Sequence, residues 1–75
     1  MKVEWWPSAS LALLNLPMAE AKAVDEAVHR WAASGEGIVH ASEGGLFFLY
    51  VGVHLVEFLI DLTEETMHIE RVRRA

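Results

Sequence analysis

The 75-residue sequence predicts an α+β domain in which two N-terminal helices pack on one face of a small antiparallel sheet, in the order β-α-α-β-β-β-β. Three observations predict it. Residues 18–33 carry an apolar stripe with the 3.6-residue helical period. After Gly37 the period shortens, and short apolar runs alternate with glycine-bearing or polar breaks. Before both lies a short aromatic run that proline stops.

That opening run, Lys2 to Trp6, has strand character, with Val3 and Trp5 on one side and Glu4 and Trp6 on the other. Pro7 followed by Ser8 suits a helix start, and Ser8 to Leu16 reads as a short helix with Leu11, Leu14 and Leu16 on its apolar stripe. Asn15 and Pro17 end it, because the residue before a proline is pushed out of the helical region. In the second helix, Met18 to Ala33, the stripe is Val24, Ala27, Val28 and Trp31, alanines raise helix propensity, and Glu26 and Arg30 form an i, i+4 pair. Gly35 supplies a left-handed stop.

Ile38 and Val39 form a short strand. Glu43, Gly44 and Gly45 form a turn, and no phosphate loop is implied there because no helix follows. Leu46 to Val51 and Val53 to Asp61 are strands joined at Gly52, a residue suited to a tight hairpin. Leu62 to Glu65 is a loop, and Thr66 to Arg73 is the last strand.

Composition narrows the function. A chain with 53% apolar and 23% charged residues is globular. At this length it buries only about 60% of the surface its unfolded form exposes, so a partner or a second copy adds stability. No cysteine is present, which excludes disulfides and thiolate metal sites and suits the cytoplasm. The net charge of −5 argues against general binding to a phosphate backbone, although Arg71, Arg73 and Arg74 concentrate half of the six basic side chains near the end. The apolar stretch Leu46 to Ile60 is 15 residues long and holds His54 and Glu57, whereas a spanning helix needs about 20, so no membrane partner is expected. The start of the chain has no signal-peptide pattern. His29, His40, His54 and His68 include no helix-spaced pair, so neither a metal nor another cofactor is expected.

The strongest functional signal is an apolar surplus. Phe47, Leu49 and Val51 fall on one side of their strand, and Leu46, Phe48 and Tyr50 on the other. Helices cover one face, so the second needs a partner. Trp31 belongs to the core stripe, while adjacent Trp5 and Trp6 must point to opposite faces. Trp5, Trp6, Phe47, Phe48 and Tyr50 are therefore the candidate partner-binding residues.

Several strings, taken in order, carry a resemblance: Val3-Glu4-Trp5 with Pro7, Ala9 and Leu13-Leu14-Asn15-Leu16, then Phe48-Leu49-Tyr50-Val51-Gly52, Val56-Glu57-Phe58-Leu59-Ile60-Asp61 and Thr66-Met67-His68-Ile69-Glu70-Arg71-Val72. This collinear set, spanning nearly the whole chain, resembles the RelE/ParE superfamily of bacterial type II toxins. The resemblance implies a small cognate antitoxin as partner, and gyrase or the ribosome as target. It also implies an aromatic–arginine pair after the Gly52 turn, where this chain has His54 and Leu55. Leucine cannot stabilise charge on a phosphate, so the resemblance points to a ParE-like or inactive toxin subunit before a RelE-like mRNA endonuclease. For the nuclease alternative the candidate catalytic residues are His54 as base with Arg71, Arg73 and Arg74 on the phosphate. A four-residue loop between the last two strands would set His54 opposite Arg73. Alternatively, His54 is a partly exposed strand residue beside a solvated basic tail, and the protein is a small homodimeric binding module.

Overall fold

In a computed structural model describing residues 1–75, the chain runs β1 (Lys2–Trp5), α1 (Pro7–Leu14), α2 (Met18–Ser34), β2 (Ile38–Ala41), β3 (Phe47–Val51), β4 (His54–Asp61) and β5 (Thr66–Arg74), with a single 3-10 turn at Glu43–Gly45 before β3. The expected β-α-α-β-β-β-β order is observed, with boundaries displaced by no more than two residues. The five strands form one sheet in the order β1-β5-β4-β3-β2. From β2 to β5 it is an antiparallel meander.

The sheet is mixed rather than wholly antiparallel, because β1 joins β5 in parallel. The reason is where β1 must deliver the chain. Its first pair is Lys2 with Thr66, and by Trp5 it has reached Ile69. There Trp6 N–H donates to the Ile69 carbonyl at 2.8 Å, and Ser8 Oγ donates to the Glu70 carbonyl at 3.0 Å. Those bonds lay the start of α1 across β5. At the other end of β1, the Met1 ammonium donates to the Ala32 carbonyl near the C-terminus of α2, at 3.0 Å. A cation suits that end of a helix dipole.

The core lies between the helices and one sheet face. Val24 and Val28 of α2, Ala9 of α1, and Leu49, Val56, Phe58, Met67 and Ile69 of the sheet are fully or almost fully buried. Trp31 packs on Phe58 with ring centroids 4.8 Å apart, and Phe47 stacks on the same ring at 5.5 Å. Helix α2 thus uses the stripe read from the sequence. On its solvent side Glu26 reaches back to Lys22 at 3.9 Å instead of forward to Arg30. Helix α1 behaves differently from expectation. Its buried face is Ala9, with Ala12 and Leu13 packed beside it, while Leu11 and Leu14 are exposed. The segment Pro7–Leu14 carries its leucines and alanines around the whole helix, with only Ser8 and Ser10 polar, so periodicity cannot select a face. The contacts to β5 select it, and alanine at position 9 allows close approach.

Two turns need left-handed backbone. Gly35 closes α2 at φ 75°, its N–H donating to the Trp31 carbonyl. Gly52 opens the two-residue β3–β4 hairpin at φ 59°, a conformation costly for a residue with a Cβ.

The pairing of β4 with β5 contains one irregularity that sets everything beyond it. Asp61 pairs with Thr66 and Phe58 with Ile69, but Glu57 pairs with Arg71. Glu70 is an extra residue, a β-bulge. Its cause lies in the spacing of apolar residues in β5. Met67 and Ile69 are two apart, and Val72 is three further on, yet all three are buried. Strict alternation would expose Val72 and set Glu70 opposite Glu57, two carboxylates face to face. The bulge returns Val72 to the core and brings Arg71 opposite Glu57. It also displaces the expected His54–Arg73 pairing: His54 faces Arg74, and Leu55 faces Arg73.

Phe58 is the ring on which Trp31 and Phe47 both rest. Phe58→Ala is expected to cost about 3–5 kcal/mol. In a domain whose total stability is of order 5–15 kcal/mol, that loss should move the midpoint of the cooperative urea transition, monitored by circular dichroism, to markedly lower denaturant.

Candidate functional site

Register decides which side chains share a face. On β4, His54, Val56 and Phe58 point toward the helices, and Leu55, Glu57 and Leu59 point away. The face away from the helices can be read in rows across the sheet. One row runs Ile38, Tyr50, Leu55, Arg73. The next runs His40, Phe48, Glu57, Arg71. Beyond the bulge follow Leu59, His68 and Glu4. No helix covers this face. It is apolar and aromatic toward β2 and charged toward β5. The His40 and Tyr50 rings meet edge-on at 5.2 Å.

Glu57 sits near the centre. It is only 8% exposed although no helix lies over it. Burying a carboxylate without a partner is costly, and here two cations compensate. Arg71 Nε lies 3.4 Å and Arg73 Nε 3.5 Å from the same oxygen, Glu57 Oε2. The arginine side chains themselves remain 67% and 45% exposed. At the lower edge of the face, Trp6, Ser8, Leu46, Glu57, Glu70 and Arg71 line an open depression of about 290 Å³.

His54 lies on the opposite face. It is buried against α2, and its Nε2 is 2.8 Å from Glu20 Oε1, while Nδ1 is buried without a partner. It is neither a partly exposed strand residue nor a neighbour of the outward arginines. Of the four candidate catalytic residues, the structure brings Arg71 and Arg73 together on the open face. His54 sits on the helix side, in register with Arg74. The candidate partner-binding residues divide in the same way. Trp6 and Tyr50 are exposed, and Phe48 is half-buried on the open face. Trp5 and Phe47 pack against the core. The opposite orientations expected of Trp5 and Trp6 are observed.

Two features go beyond what the sequence predicts. In the sequence Glu57 interrupts an apolar run, and its role becomes visible once the bulge sets Arg71 across from it. The second is an apolar depression at the α1–α2 junction, lined by Leu13, Leu14, Leu16, Met18 and Ala21. The leucines spread around α1 gave the signal, since some of them had to be left outside.

Several solved structures share this architecture over almost the whole chain. A chain of the RelBE2 toxin–antitoxin complex from Mycobacterium tuberculosis superposes with a TM-score of 0.79 at 25% identity, covering 99% of this chain and 96% of that one. The fold is that of the RelE/ParE toxins. The archaeal RelE–RelB complex from Pyrococcus horikoshii gives 0.78 at 16% identity over 97% and 92% of the two chains. The YoeB/ParE toxin from Agrobacterium tumefaciens gives 0.81 at 10% identity over 100% and 99%. No protein-family model and no curated protein matches the sequence. The domain contains no helix long and apolar enough to cross a membrane.

The His54–Glu20 contact joins α2 to the end of β4 and should behave as a coupled pair. His54→Ala is expected to cost about 2 kcal/mol, from lost packing and the lost hydrogen bond. Glu20→Ala should cost about 1 kcal/mol by leaving the buried imidazole nitrogen unpaired. The double variant should be less destabilised than the sum, by about 1 kcal/mol, in urea-denaturation midpoints.

Proposed function

We propose that this chain is the toxin-like subunit of a type II toxin–antitoxin pair, of ParE-like or catalytically inactive character, held by a small antitoxin protein that lies against its open sheet face. The observation that carries the reading is the superposition with a chain of the RelBE2 complex over nearly the full length of both chains, at 25% identity. Other neighbours with this fold were also determined as toxin–antitoxin complexes, among them YoeB–YefM from Staphylococcus aureus. The open face supports the same reading: it offers Tyr50, Ile38 and half-buried Phe48 to a partner, and Trp6 at its rim.

The geometry supports the nuclease alternative less well. A base and its phosphate-holding cations must converge on one reacting group. His54 and the outward Arg71 and Arg73 lie on different faces, and both arginines lean on Glu57. A ParE-like role, acting on a target such as gyrase and not on mRNA at the ribosome, asks no catalytic role of these residues. The proposed location is the cytoplasm.

The test is growth of bacteria expressing this chain alone or together with the protein encoded by the adjacent reading frame. Arrest by the chain alone, relieved by the second protein, is expected of an active ParE-like subunit. An inactive subunit leaves growth normal but co-purifies with the neighbour as a stable complex. Normal growth with no complex formed would overturn the proposal.

A further inference from the structure

The arrangement around Glu57 resembles an anion site that already has its occupant. Arg71 and Arg73 are two residues apart on β5 and project from the same face beyond the bulge. Their Nε atoms converge on one oxygen, Glu57 Oε2, at 3.4 and 3.5 Å. Two guanidinium groups held beside a single oxygen place two cations where a phosphate oxygen could sit, and a guanidinium offers planar donors to a dispersed negative charge. Here the oxygen belongs to the protein. The remaining guanidinium donors face solvent, as the exposure of both side chains requires.

We infer that Glu57 is the resident anion of a two-arginine site on the open sheet face, and that its carboxylate closes this site to phosphodiesters. The charges nearby fit. Glu57, Arg71 and Arg73 together carry one net positive charge. Removing the carboxylate doubles it beside the depression of about 290 Å³ that Glu57, Arg71, Trp6 and Ser8 line. Glu70 is the other acid at that depression. Glu4 lies 3.9 Å from His68, on the row beyond the bulge. Asp61 and Lys2 sit at the far end of the face, flanking Thr66. In a chain of net charge −5, this is where two exposed arginines and a polar depression coincide. Glu57 is the carboxylate that pairs with both arginines. The bulge created the arrangement, since the regular register would have put Glu70 at this position.

The inference goes beyond the toxin reading and is tested on purified protein, without antitoxin or cell, so its failure is distinguishable from failure of the growth assay. Binding of a short fluorescein-labelled single-stranded RNA is followed by anisotropy at about 50 mM salt, where phosphate contacts are strong. Glu57→Gln keeps the side-chain shape and removes the charge. It should bind the RNA about tenfold more tightly than the native chain, and the gain should shrink as salt rises. Inorganic phosphate should compete for the site. Adding Arg71→Gln and Arg73→Gln to Glu57→Gln should remove the gain. Thermal melts establish that each variant is folded, and Glu57→Leu is a second route to the same uncharged face. No gain in either folded variant, or a gain that survives loss of both arginines, overturns the inference. So does unfolding of both Glu57 variants, which would make the carboxylate a requirement of the sheet.

Discussion

The spacing of three apolar side chains in the last strand governs this structure. Met67, Ile69 and Val72 must all reach one core, yet a regular strand can send only two of them there. The extra residue at Glu70 resolves the conflict. Its consequences extend in both directions. Toward the helices it keeps Val72 against Val56, within the layer that Val24, Val28 and Phe58 fill. Toward solvent it exchanges a repulsive Glu70–Glu57 pair for Glu57 with Arg71. The Glu70 carbonyl at the bulge accepts from Ser8 and helps seat α1. One inserted residue thus links the core, the first helix and the charge pattern of the open face.

The open face then acquires a mixed character. Near β2 it is a surface a protein segment could cover, with aromatic and aliphatic side chains in adjacent rows. Near β5 it is polar but largely neutralised from within. A helix-covered core of this size leaves little stability in reserve, and covering the second face with a partner would add to it by mass action. The same sheet that supplies the core therefore presents the face where binding most changes stability. Leu55 and Glu57 stand at the centre of that face, both largely buried although no helix covers them.

Most of the fold was legible in the sequence, and the failures have physical causes. The α2 stripe, the Gly52 hairpin and the alternation of Phe47, Phe48, Leu49 and Tyr50 are local patterns, and each stands where expected. The face of α1 was not legible, because Leu11, Leu13 and Leu14 lie around the whole helix and only its docking on β5 distinguishes them. The parallel placement of β1 depends on contacts between opposite ends of the chain. The site was less legible than the fold. His54 was expected near Arg73 by counting back from the β4–β5 loop, and a count cannot detect a bulge. The signal existed in the odd spacing from Ile69 to Val72 beside the polar pair Glu70-Arg71. Read that way, the shift would have carried His54 away from the outward arginines and brought Arg71 to Glu57.

The most direct test of this account is the register of β4 against β5 in solution, measured by cross-strand nuclear Overhauser contacts between backbone protons in isotopically labelled protein. The account predicts contacts linking Leu55 with Arg73 and Val56 with Val72, on the far side of a bulge at Glu70. Contacts linking His54 with Arg73 and Val56 with Arg71 would mean an unbroken ladder. They would contradict the account, because Arg71 would then face the helices and the open face would lose its central ion pair.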